Sequence, residues 1–336
     1  MNPLTLFKGR QISMIIDLNK CIGCQTCTSA CKSLWTDGPG QEYMLWNNVE
    51  TMPGEGYPRK WEESGGGYKD GVLQKNGTLP TPKDYGSPQE VNHEQVFFLG
   101  KDIKVRGKEK MEYSAHWNED TSVGEYPNNY HFYLPRLCNH CTNPACLEAC
   151  PTKAIYKREQ DGIVLIDQEK CRGMRECNKA CPYKKIYFNH VTGKSEKCIF
   201  CFPRIEEGVA PACARQCPGR LRFVGFLDEE DGPIWKLVYK WKVALPLHPE
   251  FGTEPNIFYV PPILPPTFDE NGDISEEPRV PIEYLRSLFG PGTDQAIATM
   301  MDEQEKKERG EESELMDLLI AKEWKSMFKI PDVVMF

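Results

Sequence analysis

The sequence predicts an α+β chain in which two small cysteine-held modules share the molecule with a long Cys-free insertion and an extended C-terminal arm. Three observations predict it. All 15 Cys of the 336-residue chain fall in four tight groups. The third group repeats the first and the fourth repeats the second, the mark of a duplicated unit. The segments without Cys differ from the rest in Gly, Pro and charge.

The first group, A, is Cys21, Cys24, Cys27 and Cys31, and the second, B, is Cys138, Cys141, Cys146 and Cys150. The third, A′, is Cys171, Cys177 and Cys181, and the fourth, B′, is Cys198, Cys201, Cys213 and Cys217. An odd count clustered at two-residue gaps suits a disulfide-stapled secreted scaffold poorly. Zinc sites join two CxxC knuckles separated by roughly a dozen residues or more. Group A instead packs four thiols into eleven residues as C-x2-C-x2-C-x3-C. That run wraps three thiolates around three corners of a bacterial-ferredoxin cubane and sends the fourth to a neighbouring cluster. Pro follows the fourth Cys at Cys150-Pro151, Cys181-Pro182 and Cys217-Pro218, whereas Lys32 follows Cys31.

The repeat extends beyond the thiols. Asp17-Leu18-Asn19-Lys20-Cys21-Ile22-Gly23 matches Asp167-Gln168-Glu169-Lys170-Cys171-Arg172-Gly173, and Pro144-Ala145-Cys146 through Cys150-Pro151 matches Pro211-Ala212-Cys213 through Cys217-Pro218. A two-cluster ferredoxin uses two such motifs, so A, B, A′ and B′ make two bacterial-ferredoxin-like modules and four iron–sulfur clusters. Spacing leaves open whether A pairs with B or with B′. Where A has Cys24, A′ has Met174. A thioether is a weak ligand beside a thiolate, so this site is expected to hold a 3Fe-4S cluster, the alternative being a 4Fe-4S cluster with water on its fourth iron.

In chain order, residues 1–34 carry motif A as the first ferredoxin half. Their first ten residues lack the apolar run and cleavage site of an export signal. Residues 35–137 form the insertion, rich in Gly, Pro and Trp, read as either a cover over the clusters or a docking surface. Residues 138–226 hold the other motifs. Within them, Asp161-Gly162 between two apolar runs signals a hairpin, and Thr192-Gly193 signals another after residues 185–189. Each module reads as a small βαβ-type unit whose folding is coupled to its metal. Residues 227–336 form the arm; from Asp228 onward it holds 23 acidic and 11 basic residues. Residues 246–266 are Pro-dense, predicting an extended segment lying on another surface. Residues 295–329 read as helix, with 302–314 as a solvated charged face.

The residues resemble the iron–sulfur β subunits of the dimethyl sulfoxide reductase family, type II, a group that includes those of perchlorate, chlorate and selenate reductases, ethylbenzene dehydrogenase and dimethylsulfide dehydrogenase. The resemblance rests on the four Cys groups, on Cys171-Arg172-Gly173 with Cys177 and Cys181-Pro182-Tyr183-Lys184-Lys185, and on Glu42-Tyr43-Met44 with Trp46-Asn47-Asn48-Val49-Glu50-Thr51. It implies that the two modules are nested, A with B′ and B with A′. One 4Fe-4S cluster would sit on Cys21, Cys24, Cys27 and Cys217, and a second on Cys31, Cys198, Cys201 and Cys213. A third would sit on Cys138, Cys141, Cys146 and Cys181, and a 3Fe-4S cluster on Cys150, Cys171 and Cys177.

The same resemblance implies an electron-transfer subunit working between a molybdopterin-containing α subunit and a haem b γ subunit of a respiratory oxyanion reductase. The alternatives are a hydrocarbon or sulfide dehydrogenase and a free multi-cluster ferredoxin. It also implies a periplasmic location, reached by export with a partner, with the cytoplasm as the alternative. The residues themselves offer no catalytic site: no phosphate loop, HExxH or GxSxG occurs. The net charge of −8 argues against nucleic acid as a partner, and no apolar stretch is long enough to span a membrane. His140, between Cys138 and Cys141, reads as a neighbour of the ligands and not as a ligand. Lys184 and Lys185 read equally well as a solvated face or as groups that tune a cluster.

Overall fold

A computed structural model describes residues 10–81, 83–85 and 122–321. The strand Ile12–Asp17 is buried at all six positions, as befits a strand covered on both faces. It pairs antiparallel with Arg222–Phe226, Met14 opposite Val224, and parallel with Ile257–Val260, Met14 opposite Ile257. Leu245–Pro246 adds an antiparallel edge, completing a four-stranded sheet. The group B′ helix, Ala212–Arg215, packs on this sheet, and the group A helix, Thr26–Trp35, packs against it and against Asn47–Met52 of the insertion.

The second unit is made of hairpins. Ile155–Lys157 pairs with Val164–Ile166 and Ile186–Asn189 with Lys194–Lys197, around the turns that Asp-Gly and Thr-Gly predict. Its helices, Ala145–Glu148 of group B and Glu176–Ala180 of group A′, also pack together. Neither unit is βαβ: apart from the pairing with Ile257–Val260, the strands that flank the cysteines run antiparallel.

Proline sets the helix lengths. A residue before Pro is pushed out of helical conformation, so the A′ helix stops at Ala180, ahead of Cys181-Pro182. Group A has Lys32 at that place, and its helix runs on to Trp35.

The insertion contributes the strand Asn47–Met52, paired antiparallel with Phe132–Leu137. Residues 82 and 86–121 of the insertion lie outside the described residues. The C-terminal arm corrects two expectations. The Pro-dense stretch does not lie wholly on another surface: Leu245–Pro246 and Ile257–Val260 are strands of the chain's own central sheet, because the alternating apolar side chains of Ile257–Val260 complete the cores on its two faces. The helical stretch is also divided, into Thr293–Glu308 and Glu314–Leu319, because Gly310 at φ +81° breaks it; residues 322–329 fall outside the described residues. Leu315 and Leu319 pack with Ile15, Phe223 and Leu237 in a second core on the far side of the sheet. Among the described residues no helix is long and apolar enough to cross a membrane.

Candidate metal centres

The repeated motifs repeat their backbone. Gly23 and Gly173 take φ of +67° and +65°, and Gln25 and Arg175, which precede the A and A′ helices, take +58° and +60°. Left-handed residues at these points turn the chain around a centre, aiming its N–H groups and thiols inward. In B and B′ the matching left-handed residues are His140 and Phe200, whose rings meet edge to face at 5.2 Å. The B and B′ loops therefore face each other in the middle of the molecule.

All 15 Cys are free thiols. Cys21, Cys24, Cys27 and Cys217 line one cavity, Cys31, Cys198, Cys201 and Cys213 a second, and Cys138, Cys141, Cys146 and Cys181 a third. Their atom-free volumes are close, at about 330, 340 and 390 Å³. Cys150 and Cys177 sit in one small apolar cluster beside Cys146 and Cys181, and Cys177 feels the charges of Cys150 and Cys171. The cavities adjoin one another in succession. Arg222 and Met14 join the first to the second, His140 against Phe200 and Cys138 beside Cys198 join the second to the third, and the apolar cluster leads on to Cys150 and Cys177.

No group of three or more His, Cys, Asp or Glu among the described residues converges closely enough for a single metal ion. The thiols ring a space, as a polyatomic cluster requires and a lone zinc does not. Each cavity wall also carries a buried polar atom without a protein partner: Trp46 Nε1 in the second, His140 Nε2 in the third and Arg222 Nε in the first. His140 Nδ1 accepts from Val164 N at 3.1 Å, so the neutral ring carries its proton on the unpartnered Nε2. Buried donors seek acceptors, and inorganic sulfide and thiolate supply them. The residues fit iron–sulfur clusters.

The electrostatics agree. Burial pushes the Cys141, Cys177 and Cys213 thiols up to about 12, so metal binding must displace their protons. Cys150 goes the other way: burial would raise it, but hydrogen bonds from Thr152 and the Ala154 and Ile155 amides lower it. The Ala154 N to Cys150 Sγ bond is 3.3 Å long, and Trp35 Nε1 donates to Cys201 Sγ at 3.1 Å.

Residues 129–227 match the 4Fe-4S dicluster domain family and residues 13–33 the 4Fe-4S binding domain family. The chain is 58% identical over 321 residues to the dimethylsulfide dehydrogenase subunit beta of Rhodovulum sulfidophilum, covering 96% of this chain and 99% of that one. It is 58% identical to the selenate reductase subunit beta of Thauera selenatis, over 93% of this chain and 96% of that one. The chain belongs to the iron–sulfur β subunits of the dimethyl sulfoxide reductase family. It is also similar, at 36% identity over 84% of its length, to the respiratory nitrate reductase 2 beta chain of Escherichia coli, of which it spans 76%.

This β subunit contains functional candidates that its sequence does not announce. Lys184 and Lys185 are buried, so the solvated-face reading is wrong for both. Lys185 Nζ donates to Asn48 Oδ1 and lines the third cavity. Arg136 makes a bidentate pair with Glu50, Nε to Oε2 and Nη2 to Oε1 both at 2.7 Å, stacks 3.7 Å from Trp61, and donates to Tyr183 O, two residues from Cys181. Glu50 lies in the Trp46–Thr51 segment that carries the resemblance, but its charge gives no hint of burial. Met174, at the position of the missing Cys, is 56% exposed, and Ile22 in the matching A loop is 70% exposed, so the succession of thiols reaches the surface at both ends.

Proposed function

We propose that this chain is the electron-transfer subunit of a molybdenum oxidoreductase complex, carrying single electrons between a molybdopterin-containing α subunit and a haem b γ subunit. The carrying observation is the succession of thiol-walled cavities from the exposed A loop to the exposed A′ loop. Its support from the relatives is that each is a beta subunit or beta chain of a dehydrogenase or reductase.

The ligand sets we infer are Cys21, Cys24, Cys27 and Cys217; Cys31, Cys198, Cys201 and Cys213; and Cys138, Cys141, Cys146 and Cys181 for three 4Fe-4S clusters. Cys150, Cys171 and Cys177 then hold a 3Fe-4S cluster. When bound, these groups supply one-electron oxidation and reduction. The chain's own part is to hold the thiolates, exclude water and offer fixed donors: His140 Nε2–H, Trp46 Nε1–H and the Arg222 guanidinium. Because these dipoles and charges are already in place, a change in charge at the thiols requires little rearrangement. The end near Cys24 and Ile22 faces the α subunit in this reading, and the end near Met174 faces the haem. A wide cleft bordered by Arg175, Asn178, Tyr43 and His190 lies beside that second end.

Reduction of an oxyanion is the direction we adopt, the α subunit making the choice, and the periplasm is the location. Metal analysis of the complex purified natively tests the reading. Molybdenum and haem b on two further chains support it; iron alone on a solitary chain overturns it in favour of a free electron carrier.

A further inference from the structure

Arg222 opens the strand Arg222–Phe226 and is 2% exposed. A buried guanidinium requires counter-charge and acceptors around it. Arg136, just as buried, has Glu50. Arg222 has no carboxylate within ion-pairing distance among the described residues, and the hydrogen-bond partners of its side chain are sulfur atoms. Its Nη2 donates to Cys27 Sγ at 3.3 Å, its Nη1 lies 3.6 Å from Met14 Sδ, and its Nε has no partner.

Those two sulfurs belong to different walls. Cys27 lines the cavity of Cys21, Cys24 and Cys217, whereas Met14 lines that of Cys31, Cys198, Cys201 and Cys213. Cys213, a thiol of the other cavity, is close enough to Arg222 for their charges to interact, as are Cys27, Cys217 and Cys21. The repeat provides an internal comparison. Arg222 stands five residues after Cys217; five residues after Cys150, at the start of the matching strand, stands Ile155, buried and apolar. The cation is therefore specific to one module and is not a general requirement of the motif.

We propose that Arg222 is the shared counter-cation of two iron–sulfur clusters, those on Cys21, Cys24, Cys27 and Cys217 and on Cys31, Cys198, Cys201 and Cys213, and that it raises the reduction potential of both. This rests on the cluster reading above. Each electron arriving at either set of thiols adds a negative charge beside a guanidinium that does not lose its proton. The reduced form gains more than the oxidised form. One charge at the boundary also weakens the repulsion between electrons on the two sides.

The test is a redox titration followed by electron paramagnetic resonance on the natively purified complex, as wild type, Arg222→Gln and Arg222→Lys, with iron per chain measured in each. In Arg222→Gln, two of the three four-iron steps move to lower potential, while the third and the three-iron step stay in place. Arg222→Lys keeps the charge but loses the fork, and lowers the same two steps by less. If Arg222→Gln loses iron, Arg222→Lys carries the test. At full iron content, no movement or movement of one step alone overturns the proposal, as does an equal shift in both variants. A wild-type titration without four steps would refute the cluster reading instead, independently of Arg222.

Discussion

At the scale of single residues, the thiols were legible because ligand chemistry is written directly into residue type and spacing. The buried charges were not. A Glu or Arg that folding buries looks the same in one sequence as one that stays wet, and only the register of Asn47–Met52 on Phe132–Leu137 brings Glu50 to Arg136. Burial would raise the Glu50 carboxyl, but Arg136 and then Lys185 hold it below its ordinary value. Removing one partner strands the other charge, so Glu50→Gln is expected to cost about 3–5 kcal/mol in chemical denaturation. The double variant Glu50→Leu with Arg136→Met should cost less than either single change; an additive double variant would refute the pairing. Cys177 is the second test at this scale. If Cys150, Cys171 and Cys177 hold the proposed three-iron cluster, replacing Cys177 by Ala should abolish its oxidised-state paramagnetic signal and slow electron exchange with the proposed haem partner; an unchanged signal would sink that assignment.

At the scale of elements, turns and helix ends were readable where Gly and Pro dictate them, and the two hairpins of the second module stand where Asp-Gly and Thr-Gly place them. Gly173 shows why such a residue resists replacement. Its φ is +65°, and an added Cβ would lie 2.2 Å from Gly193 O. Gly173→Ala should lower stability by about 1–3 kcal/mol, visible as earlier loss of cluster absorbance on heating; unchanged melting would show that the loop can shift. What the sequence did not reveal is which distant elements meet. His248 in the arm touches Glu250 at 2.7 Å and Glu62 of the insertion at 2.9 Å. Burial would lower its pKa, but the hydrogen bonds it donates to Glu250 and Glu62 raise it above 6.5. A raised folded-state pKa gives stability that is complete below pH 6.5 and disappears as pH rises through the folded value. The stability gap between wild type and His248→Gln should therefore be widest in mild acid and narrow above neutrality. A gap independent of pH would mean that the histidine contributes packing alone.

At the scale of the whole molecule, the clustered cysteines foretell the 4Fe-4S domains that residues 13–33 and 129–227 match, and the relatives place the chain among β subunits. Its arm was the part misjudged. Pro-dense composition signals extended chain but not its destination, and Ile257–Val260 completes the core of the same chain through pairs such as Ile16 with Tyr259. Shortening the chain after residue 244 should therefore expose Ile15, Phe223 and Ile16 and leave the protein insoluble, read out by recovery from the soluble fraction. A soluble, iron-loaded product would show that the sheet stands without its last two strands.

That sheet also sets a timetable. The neighbours of Ile16 are Arg222 and Tyr259, both more than 200 residues downstream. At about 5–20 residues per second of synthesis, the thiols at 21–31 emerge on the order of ten to forty seconds before Cys217. Cys138 to Cys181 emerge together within a short stretch and can close first. With the ligand sets proposed above, assembly is expected to run from the inner thiols to the outer ones, the earliest cysteines to be made being the last to be enclosed. Until then they must be kept reduced by the cell, not by the fold.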